Sequence, residues 1–448
     1  MQTIKEEYNH SYILVISFIS ALGGYLFGFD FAVISGALPF LKVQFHLSAL
    51  AEGFLTGSLA LGCMAGSLIA GKLADNYGRR PALIVAALIF ALSSVAMALS
   101  GTLNIFILFR FAAGIGVGMS SMLSPLYISE ISPAAVRGRN VAINQLTVVL
   151  GILITNLVNY SLAGWGEDAW RWMFGFGVVP SLCFLLGMLF LPESPRWQVG
   201  KGRIEKALKT FKKISSEATA EQLVNEIQAR ERSFKVDRSS GLFSKTVRPA
   251  LLIGVTLAVF QQLCGINVVF NYTSVIFSSV GASLDHQLLE TVIIGVVNTL
   301  FTLIAMWQID KLGRKPLIMY GSMALCVSYL ILAILLRNNA GIVWISLFVL
   351  LPIAVYATSL APVTWVIISE IFPNHIRGKA SSFAILCLWA AYFILVFTFP
   401  ILAQSLGTYG PFYLYSGICL LGFLFIKYKV KETKGQSLEE LESNFSAH

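Results

Sequence analysis

The sequence predicts an all-α polytopic membrane protein whose twelve transmembrane helices form two pseudo-symmetric six-helix bundles. Three observations support this fold class: the composition, the number of long apolar stretches, and a repeat that relates the two halves. Hydrophobic residues make up 56% of the 448 residues and charged residues only 12%, whereas soluble domains carry about a quarter charged residues. A chain this apolar lacks the polar residues to cover a water-facing surface, so lipid must surround much of it.

A transmembrane helix needs about 20 largely apolar residues, and twelve stretches of the chain satisfy this length. They are residues 12–38, 52–74, 81–100, 103–128, 139–163, 170–191, 249–280, 288–309, 315–336, 342–368, 379–403 and 410–428. No small-residue cleavage site follows the first stretch, so we expect a retained helix rather than a signal peptide. The chain then divides into a first bundle (1–191), a cytoplasmic helical linker (192–248), a second bundle (249–430) and a short cytoplasmic tail (431–448).

The basic residues predict the orientation of these helices. All but four of the 32 Lys and Arg residues lie on the side that holds the two termini and the linker, the exceptions being Lys42, Arg110, Arg171 and Arg337. Because cytoplasmic loops of membrane proteins are enriched in Lys and Arg, we expect both termini to be cytoplasmic. The formal net charge of +9 is then a consequence of topology, and membrane lipids rather than nucleic acid are the expected surroundings.

The linker has the pattern of short amphipathic helices. Apolar residues at helical spacing stand among Lys and Arg at Ile204, Ala207, Leu208 and Phe211, and again at Leu223 and Ile227. We expect these helices to lie on the cytoplasmic face and to latch the two bundles together. Attachment to anionic lipid at the membrane surface is the alternative.

Polar motifs recur at equivalent loops of the two halves. SEISPAAVRGR (129–139) returns as SEIFPNHIRGK (369–379), and KLADNYGRRP (72–81) returns as QIDKLGRKP (308–316). A duplicated six-helix unit predicts two bundles related by an axis along the membrane normal, with the substrate site near the midplane between them.

The repeated motifs supply charges that we expect to control closure on the cytoplasmic face. They are Asp75, Arg79, Arg80, Glu130 and Arg137 in the first half, and Asp310, Arg314, Glu370 and Arg377 in the second. Asp75 is expected to cap a helix or to pair with the arginines that follow it. Glu130 with Arg137, like Glu370 with Arg377, is expected to clasp one bundle to the other through contacts that break during a conformational change. Anchoring of loops at the lipid headgroups is the alternative for any one of them.

Polar side chains inside the predicted spans indicate a functional site. Asp30 stands between Phe29 and Phe31 in the first span, and Arg110 lies near the start of the fourth. A carboxylate in hydrocarbon must be protonated or paired, and intramembrane ionisable residues are functional by default.

The seventh span contains four amides, namely Gln261, Gln262, Asn267 and Asn271. Neutral amides suit a polyol because they both donate and accept hydrogen bonds without the desolvation cost of a charge. The four do not share one helical stripe, but a broken or locally unwound helix, as at other transporter sites, would relax this mismatch. Hydrogen bonding between helices is the alternative for any single amide.

Other function classes find no support in the sequence. The six cysteines lie in apolar stretches without CxxC spacing, so neither disulfides nor a zinc site is expected. The five histidines are scattered, and neither a nucleophile–base pair nor a P-loop lysine motif is present. We therefore expect neither an enzyme nor an ATP-driven pump, and no cofactor.

Motifs along nearly the whole chain resemble those of the sugar porters of the major facilitator superfamily. They are GYLFGFDFAVISGAL (24–38), FAAGIGVGMSSMLSPLYISEISPAAVRGR (111–139), PESPRW (192–197), FQQLCGINVVFNY (260–272), TWVIISEIFPNHIRGKA (364–380), and KETKG (431–435) where the family usually has PETKG. The likeness is nearest to bacterial pentose–proton and hexose–proton symporters. It implies the major facilitator fold, transport by alternating access, and a place in the bacterial inner membrane.

The resemblance also implies residue roles. In proton symporters the residues at the positions of Asp30 and Arg110 face each other and link proton binding to conformational change, with a static pair as the alternative. Tyr272 resembles the outer-gate tyrosine. The implied sugar-binding residues are Gln145, Gln261, Gln262, Asn267, Asn271, Asn298 and Trp365, flanked by Phe27 and Trp389.

Some positions depart from the family pattern. Leu388 precedes Trp389 where an amide is common, Ile152 stands where many relatives have Gln, and Asn271 replaces a usual tyrosine. The pattern of hydroxyls that the site reads therefore differs, and the resemblance does not imply which sugar is carried.

These inferences predict a proton-coupled importer of a monosaccharide or related polyol, driven by the proton gradient and working as a monomer. Uncoupled uniport of a sugar is the nearest alternative, followed by an inositol or other polyol carrier. A sugar sensor is less favoured, because such sensors usually have long cytoplasmic tails.

Overall fold

The computed structural model describes residues 8–234, 242–244, 247–372 and 377–432. Within them the first half and the linker contain α1 (His10–Phe45), α2 (Ala49–Tyr77), α3 (Arg79–Ala98), α4 (Leu103–Ile131), α5 (Ala134–Leu162), α6 (Ala169–Gly175), α7 (Val178–Phe190), α8 (Pro195–Gly200), α9 (Ile204–Ile214) and α10 (Glu217–Phe234). The second half contains α11 (Arg248–Leu263), α12 (Ile266–Asn271), α13 (Thr273–Ser278), α14 (Leu284–Leu312), α15 (Arg314–Arg337), α16 (Ile342–Thr358), α17 (Leu360–Ile371), α18 (Arg377–Leu406) and α19 (Gly410–Lys429).

Twelve helical stretches of the described chain are long and apolar enough to cross a membrane, which confirms the predicted number. The first helix is longer at both ends than the predicted 12–38. It begins where the Asn9 side chain accepts a hydrogen bond from the N–H of Tyr12, and it ends where His46 adopts a left-handed conformation with φ 48°. These two caps satisfy backbone groups that hydropathy alone does not reveal.

Three spans of the described chain are interrupted, namely the sixth between α6 and α7, the seventh and the tenth. The breaks in the seventh and tenth spans lie beside the predicted sugar site. In the seventh span α11 ends at Leu263, and Gly265 then has φ 97°, a conformation that favours glycine. In the tenth span Ser359 separates α16 from α17. Because the helix is broken at Gly265, the amides before and after it need not lie on one helical stripe. Such a break was expected from the sequence.

Glycine and amide contacts hold the helices together where hydrocarbon offers no hydrophobic driving force between them. Within the first half, a Cβ added to Gly62 would lie 2.0 Å from the carbonyl oxygen of Phe111, so α2 and α4 approach through their backbones. Between the halves, a Cβ on Gly53 would lie 2.2 Å from the carbonyl oxygen of Phe397, which joins α2 to α18. The two halves thus meet along closely packed helix pairs.

The linker helices pack beside the beginning of the first span. The Asn9 N–H donates to the carbonyl of Ile214 at 2.9 Å, and Tyr8 forms a β-bridge with Ser215. The apolar face of α9 buries Ala207, Phe211 and Ile214, whereas Ile204 and Leu208 from the predicted stripe are half-buried. We call the membrane side that holds the start of α1 and these helices the linker side, and the other the opposite side.

Candidate functional site

The structure brings Asp30 and Arg110 together in the interior of the first half. The Nη1 atom of Arg110 lies 3.0 Å from Oδ1 of Asp30, and their side chains are 0% and 1% exposed. The Nε atom of Arg110 donates to the carbonyl of Leu55 at 3.1 Å, which fixes the guanidinium between α1, α2 and α4. This burial leaves the two charges dependent on each other for stabilisation.

The pair is incompletely satisfied. Oδ2 of Asp30 and Nη2 of Arg110 are buried and have no hydrogen-bond partner among the described residues. A buried polar atom without a partner is costly, so an exchange of a proton or of partners at this position is chemically accessible.

The four amides of the seventh span form a connected row around the break at Gly265. Nδ2 of Asn267 donates to Oε1 of Gln262 at 2.5 Å, and Nε2 of Gln262 donates to Oε1 of Gln261 at 3.3 Å. Nε2 of Gln261 donates to the carbonyl of Leu360 at 3.2 Å, beside the break in the tenth span. The amide row therefore joins the two interrupted helices.

An aromatic cluster continues from the amide row into the first half. The cluster comprises Phe27, Phe31, Trp389 and Tyr392. Phe27 packs edge-on against Trp389 with ring centroids 5.6 Å apart, and Phe31 lies 5.0 Å from Tyr392. Nε1 of Trp389 is buried without a hydrogen-bond partner among the described residues. Phe27 and Trp389 thus meet across the two halves, as expected for residues that flank a substrate.

Tyr392 is a site residue that the sequence did not single out. Its hydroxyl accepts a hydrogen bond of 3.0 Å from Nδ2 of Asn271. The residue is completely buried. It therefore joins the amide row to Phe31, the residue that follows Asp30 on α1.

The other predicted sugar-binding residues lie on three further helices. Gln145 is half-buried on α5, Asn298 is buried on α14, and Trp365 on α17 is 41% exposed. Among the described residues no hydrogen bond joins these three to the amide row. Trp365 stands one turn beyond Ala361, whose carbonyl is 3.4 Å from Nε2 of Gln261.

Tyr272 closes the opposite side of the amide row. It is fully buried, its hydroxyl donates to the carbonyl of Val396 at 2.7 Å, and its ring packs 4.8 Å from Phe399. Nearby, the Ser274 hydroxyl donates to the carbonyl of Ser35 at 2.7 Å and so ties α13 to α1 in the other half. The halves are therefore in contact on the opposite side of the site.

On the linker side, the structure corrects the expected partner of Glu130. Its carboxylate receives hydrogen bonds from Arg79 at 3.0 to 3.2 Å and from the hydroxyl of Ser194. Arg137 instead donates to the carbonyl of Ser129 at 3.1 Å. The sequence predicted that Glu130 and Arg137 would clasp one bundle to the other. Glu130 instead ties α3 and the linker to α4 within the first half. The expected clasp between Glu370 and Arg377 falls on side chains outside the described residues, as does Asp310.

Asp75 and Arg80 take up positions around the same turn. Asp75 accepts from Arg79 at 3.2 Å, which is one of its two expected roles. Arg80 donates to the carbonyls of Met188 at 3.0 Å and Leu189 at 2.6 Å. Both arginines of the GRRP turn therefore hold neighbouring helix ends of the first half together.

Two glutamates cap equivalent helices in the two halves, a role that the sequence did not reveal. Oε1 of Glu193, in PESPRW, accepts from the backbone N–H groups of Arg79 at 2.9 Å and Arg80 at 3.3 Å. Glu432, in KETKG, accepts from those of Arg314 at 3.0 Å and Lys315 at 3.1 Å. A carboxylate at a helix N-terminus is favoured by the helix dipole. Burial nevertheless raises the pKa of Glu193 above its ordinary value.

Comparisons with known proteins identify the family. The chain matches the family model described as sugar (and other) transporter over residues 16–445. The chain belongs to this family. The expected family, the twelve-helix major facilitator fold and a transporter rather than an enzyme are therefore confirmed.

The similar proteins cover almost the whole chain. The arabinose-proton symporter of Bacillus subtilis is 38% identical over 450 residues, which span 98% of this chain and 96% of that protein. The D-xylose-proton symporter of Escherichia coli K12 is 38% identical over 482 residues, spanning 98% and 97%. A partially occluded inward-open structure of the E. coli xylose transporter superposes with a TM-score of 0.86 at 35% identity, covering 95% of this chain and all of that one.

Proposed function

We propose that this protein is a secondary transporter that imports a monosaccharide or related polyol together with a proton. The observation that carries the proposal is the path of contacts from the amide row, through Asn271 and Tyr392, to Phe31, which is the neighbour of Asp30 in the buried pair with Arg110. The relatives named as arabinose-proton and D-xylose-proton symporters support the same conclusion. No cofactor is needed, because the proton gradient supplies the energy.

The amide row is the proposed sugar-binding surface. Gln261, Gln262 and Asn267 bond to one another, and Gln261 and Asn271 also donate to the backbone carbonyls of Leu360 and Asn267. Sugar hydroxyls replace these bonds without introducing a charge. Trp389 offers a buried N–H donor, and Phe27 and Trp365 offer apolar faces for the ring. Gln145 and Asn298 complete the site from α5 and α14.

The buried ion pair is the proposed proton-coupling site. While Asp30 is ionised, Arg110 remains bound to it. Protonation of Asp30 removes the charge that holds the guanidinium, so Arg110 is released to its other partner, the carbonyl of Leu55. Contacts between α1, α2 and α4 then rearrange, and the halves move between states open to either side.

The orientation completes the proposal. The basic residues indicate that the linker side is cytoplasmic, so the opposite side faces outward and both termini lie inside. The bacterial inner membrane is then the location, and a monomer surrounded by lipid is the working unit. The contacts of Tyr272 and Ser274 belong to a closed outer gate. The charge cluster of Arg79 and Glu130 lies at the other end of the transport path, on the inner face.

A transport experiment tests the proposal. The full chain is reconstituted in liposomes, a pH gradient with an acidic exterior is imposed, and labelled pentoses, hexoses and inositol are screened. We expect one class of sugar to accumulate above its external concentration only while the gradient persists. Uptake that is indifferent to the gradient would favour facilitated uniport, in which Asp30 and Arg110 serve only to join helices. Failure to carry any polyol would contradict sugar transport itself.

A further inference from the structure

Four charged side chains are buried in the part of the chain that the structure describes: Asp30, Glu52, Arg110 and Glu290. Asp30 has Arg110 as its partner, and Glu52 has Lys42 at 2.7 Å, and both of these partners are ordinarily charged at neutral pH. Glu290 differs, because its ionic partner is His286. Histidine is the side chain whose charge ordinarily changes between about pH 5 and 8.

The geometry around Glu290 joins two helices at the outer end of the second half. His286 and Glu290 stand one turn apart on α14, with Nε2 of the histidine 3.3 Å from Oε1 of the glutamate. The hydroxyl of Ser346, on α16, donates to the same oxygen at 2.5 Å. The carboxylate side chain is 4% exposed and the imidazole 36%. The imidazole therefore reaches the surface in part, but its Nε2 atom, which faces the carboxylate, is buried and has no hydrogen-bond partner among the described residues.

The charge on His286 decides whether this carboxylate is stabilised. Oε2 of Glu290 is buried and has no hydrogen-bond partner among the described residues. With a protonated imidazole, the carboxylate has a full countercharge and the Ser346 hydroxyl. With a neutral imidazole, a buried negative charge keeps a single strong donor, which is costly in a membrane. The ends of α14 and α16 then separate to admit water.

The same end of α14 touches the contacts between the two halves. The imidazole of His286 lies 6.1 Å from the ring of Phe277 on α13, the helix that Ser274 ties to α1. One residue after Glu290, the carbonyl of Thr291 accepts a hydrogen bond of 2.6 Å from Nδ2 of Asn156 on α5. A change at Glu290 is therefore transmitted to the outer gate.

Few other charged groups lie near this position. On α14 the neighbouring Asp285 is exposed, and at the outer end of α15 Arg337 is exposed. The outer cleft lined by Leu284 and Gln287 also contains Lys42, which is paired with Glu52, and Glu167, which is exposed. The described residues of α5, α13 and α16 place no charged side chain against Glu290. Its countercharge thus depends on His286.

We propose that His286 and Glu290 form a second proton-binding site, separate from Asp30 and Arg110, which senses the pH outside the membrane and holds α14 against α16 when protonated. The assignment of this side of the membrane to the outside rests on the orientation proposed above. The ligand is the proton itself, and no sugar takes part. The site acts on the outer gate rather than on the coupling pair.

Hydrogen exchange tests this site without any substrate. The full-length protein in detergent is labelled at about pH 5.5 and about pH 8, and mass spectrometry follows peptides from the first turns of α14 and α16. After correction for the intrinsic pH dependence of exchange, we expect the open population to increase about tenfold at the higher pH, because the ion pair between His286 and Glu290 is lost.

The variants give opposite expected results. Glu290→Gln carries no charge to compensate, so its helix ends stay protected at both pH values. His286→Gln never supplies a countercharge, so its ends exchange rapidly at both. Asp285→Asn, the matched control one position from the histidine, follows the unaltered protein. Equal pH dependence in the protein and in Glu290→Gln, or a loss of protection in both Glu290→Gln and His286→Gln, would overturn the proposal.

Discussion

The hydroxyl of Tyr392 accepts a hydrogen bond of 3.0 Å from Asn271, and its ring packs 5.0 Å from Phe31, the residue after Asp30. One side chain thus contacts both the amide row and the helix that carries the buried carboxylate. A sugar hydroxyl that competes for Asn271 would free the tyrosine hydroxyl, and the change would reach α1 directly. In the proposed mechanism, this contact transmits occupancy of the sugar site to the proton site.

Removal of the Tyr392 hydroxyl should uncouple the two sites. Tyr392→Phe keeps the ring against Phe31 but leaves Asn271 without this acceptor. We expect sugar accumulation driven by a pH gradient to fall about tenfold, the effect of losing one buried hydrogen bond, while sugar exchange without a gradient changes less than threefold. Tyr329→Phe is the control, because Tyr329 is equally buried but belongs to α15. Equal losses of accumulation and exchange in Tyr392→Phe would contradict this role.

The amide row should contribute to sugar affinity through Gln262, which links Gln261 to Asn267. Gln262→Ala leaves a buried amide unpaired, so we expect sugar binding to weaken at least about tenfold. Isothermal titration of the purified protein measures this change. The control is Gln287→Ala, which removes a buried amide that bonds to the carbonyl of Ala282 outside the row. Unchanged affinity in Gln262→Ala would remove this residue from the site.

The break in the seventh span should depend on glycine at position 265. Gly265→Ala places a side chain where φ is 97° and where the new Cβ would lie 2.6 Å from the ring of Tyr415. We expect a loss of at least about 1 kcal/mol of stability, seen as a lower melting temperature in detergent. The control is Gly417→Ala, since no atom lies within 4 Å of a Cβ at that position. Equal melting temperatures for the two variants would argue against a required break.

The cap formed by Glu193 should give stability a specific pH dependence. Burial raises the pKa of this carboxyl in the folded protein, so the folded state binds the proton more tightly than the unfolded state does. The contribution of Glu193 to stability therefore rises as pH falls through the acid range and declines as pH rises. We expect the difference in melting temperature between the protein and Glu193→Gln to shift in favour of the protein on acidification. A difference that is constant with pH would contradict this effect.

The fold was largely predictable from the sequence because its signals are local. Each span is a long apolar stretch, and the repeated motifs relate the halves without any knowledge of packing. The ends of α1 differ from the predicted ones because the side-chain cap of Asn9 and the left-handed backbone of His46 leave no signal in hydropathy. The break in the seventh span was foreseeable, since four amides in one membrane helix conflict with a single helical stripe.

The partners of charged residues were harder to predict, because they depend on contacts between distant parts of the chain. Glu130 and Arg137 are close in sequence, yet Glu130 pairs with Arg79 on another helix. Glu193 and Glu432 stood in recognised motifs, but their capping role requires two chain segments to meet. Tyr392 and Glu290 lie in apolar helices, and only the folded chain shows their partners.

The most direct test of the account compares Asp30→Asn with the unaltered protein in liposomes. The asparagine keeps the size of the side chain but carries no exchangeable charge, so it cannot alternate between a form that binds Arg110 as an ion and one that releases it. With an acidic exterior, we expect the unaltered protein to accumulate its sugar, and Asp30→Asn to lose accumulation while still exchanging labelled for unlabelled sugar. Accumulation by Asp30→Asn to the level of the unaltered protein would contradict proton coupling through Asp30.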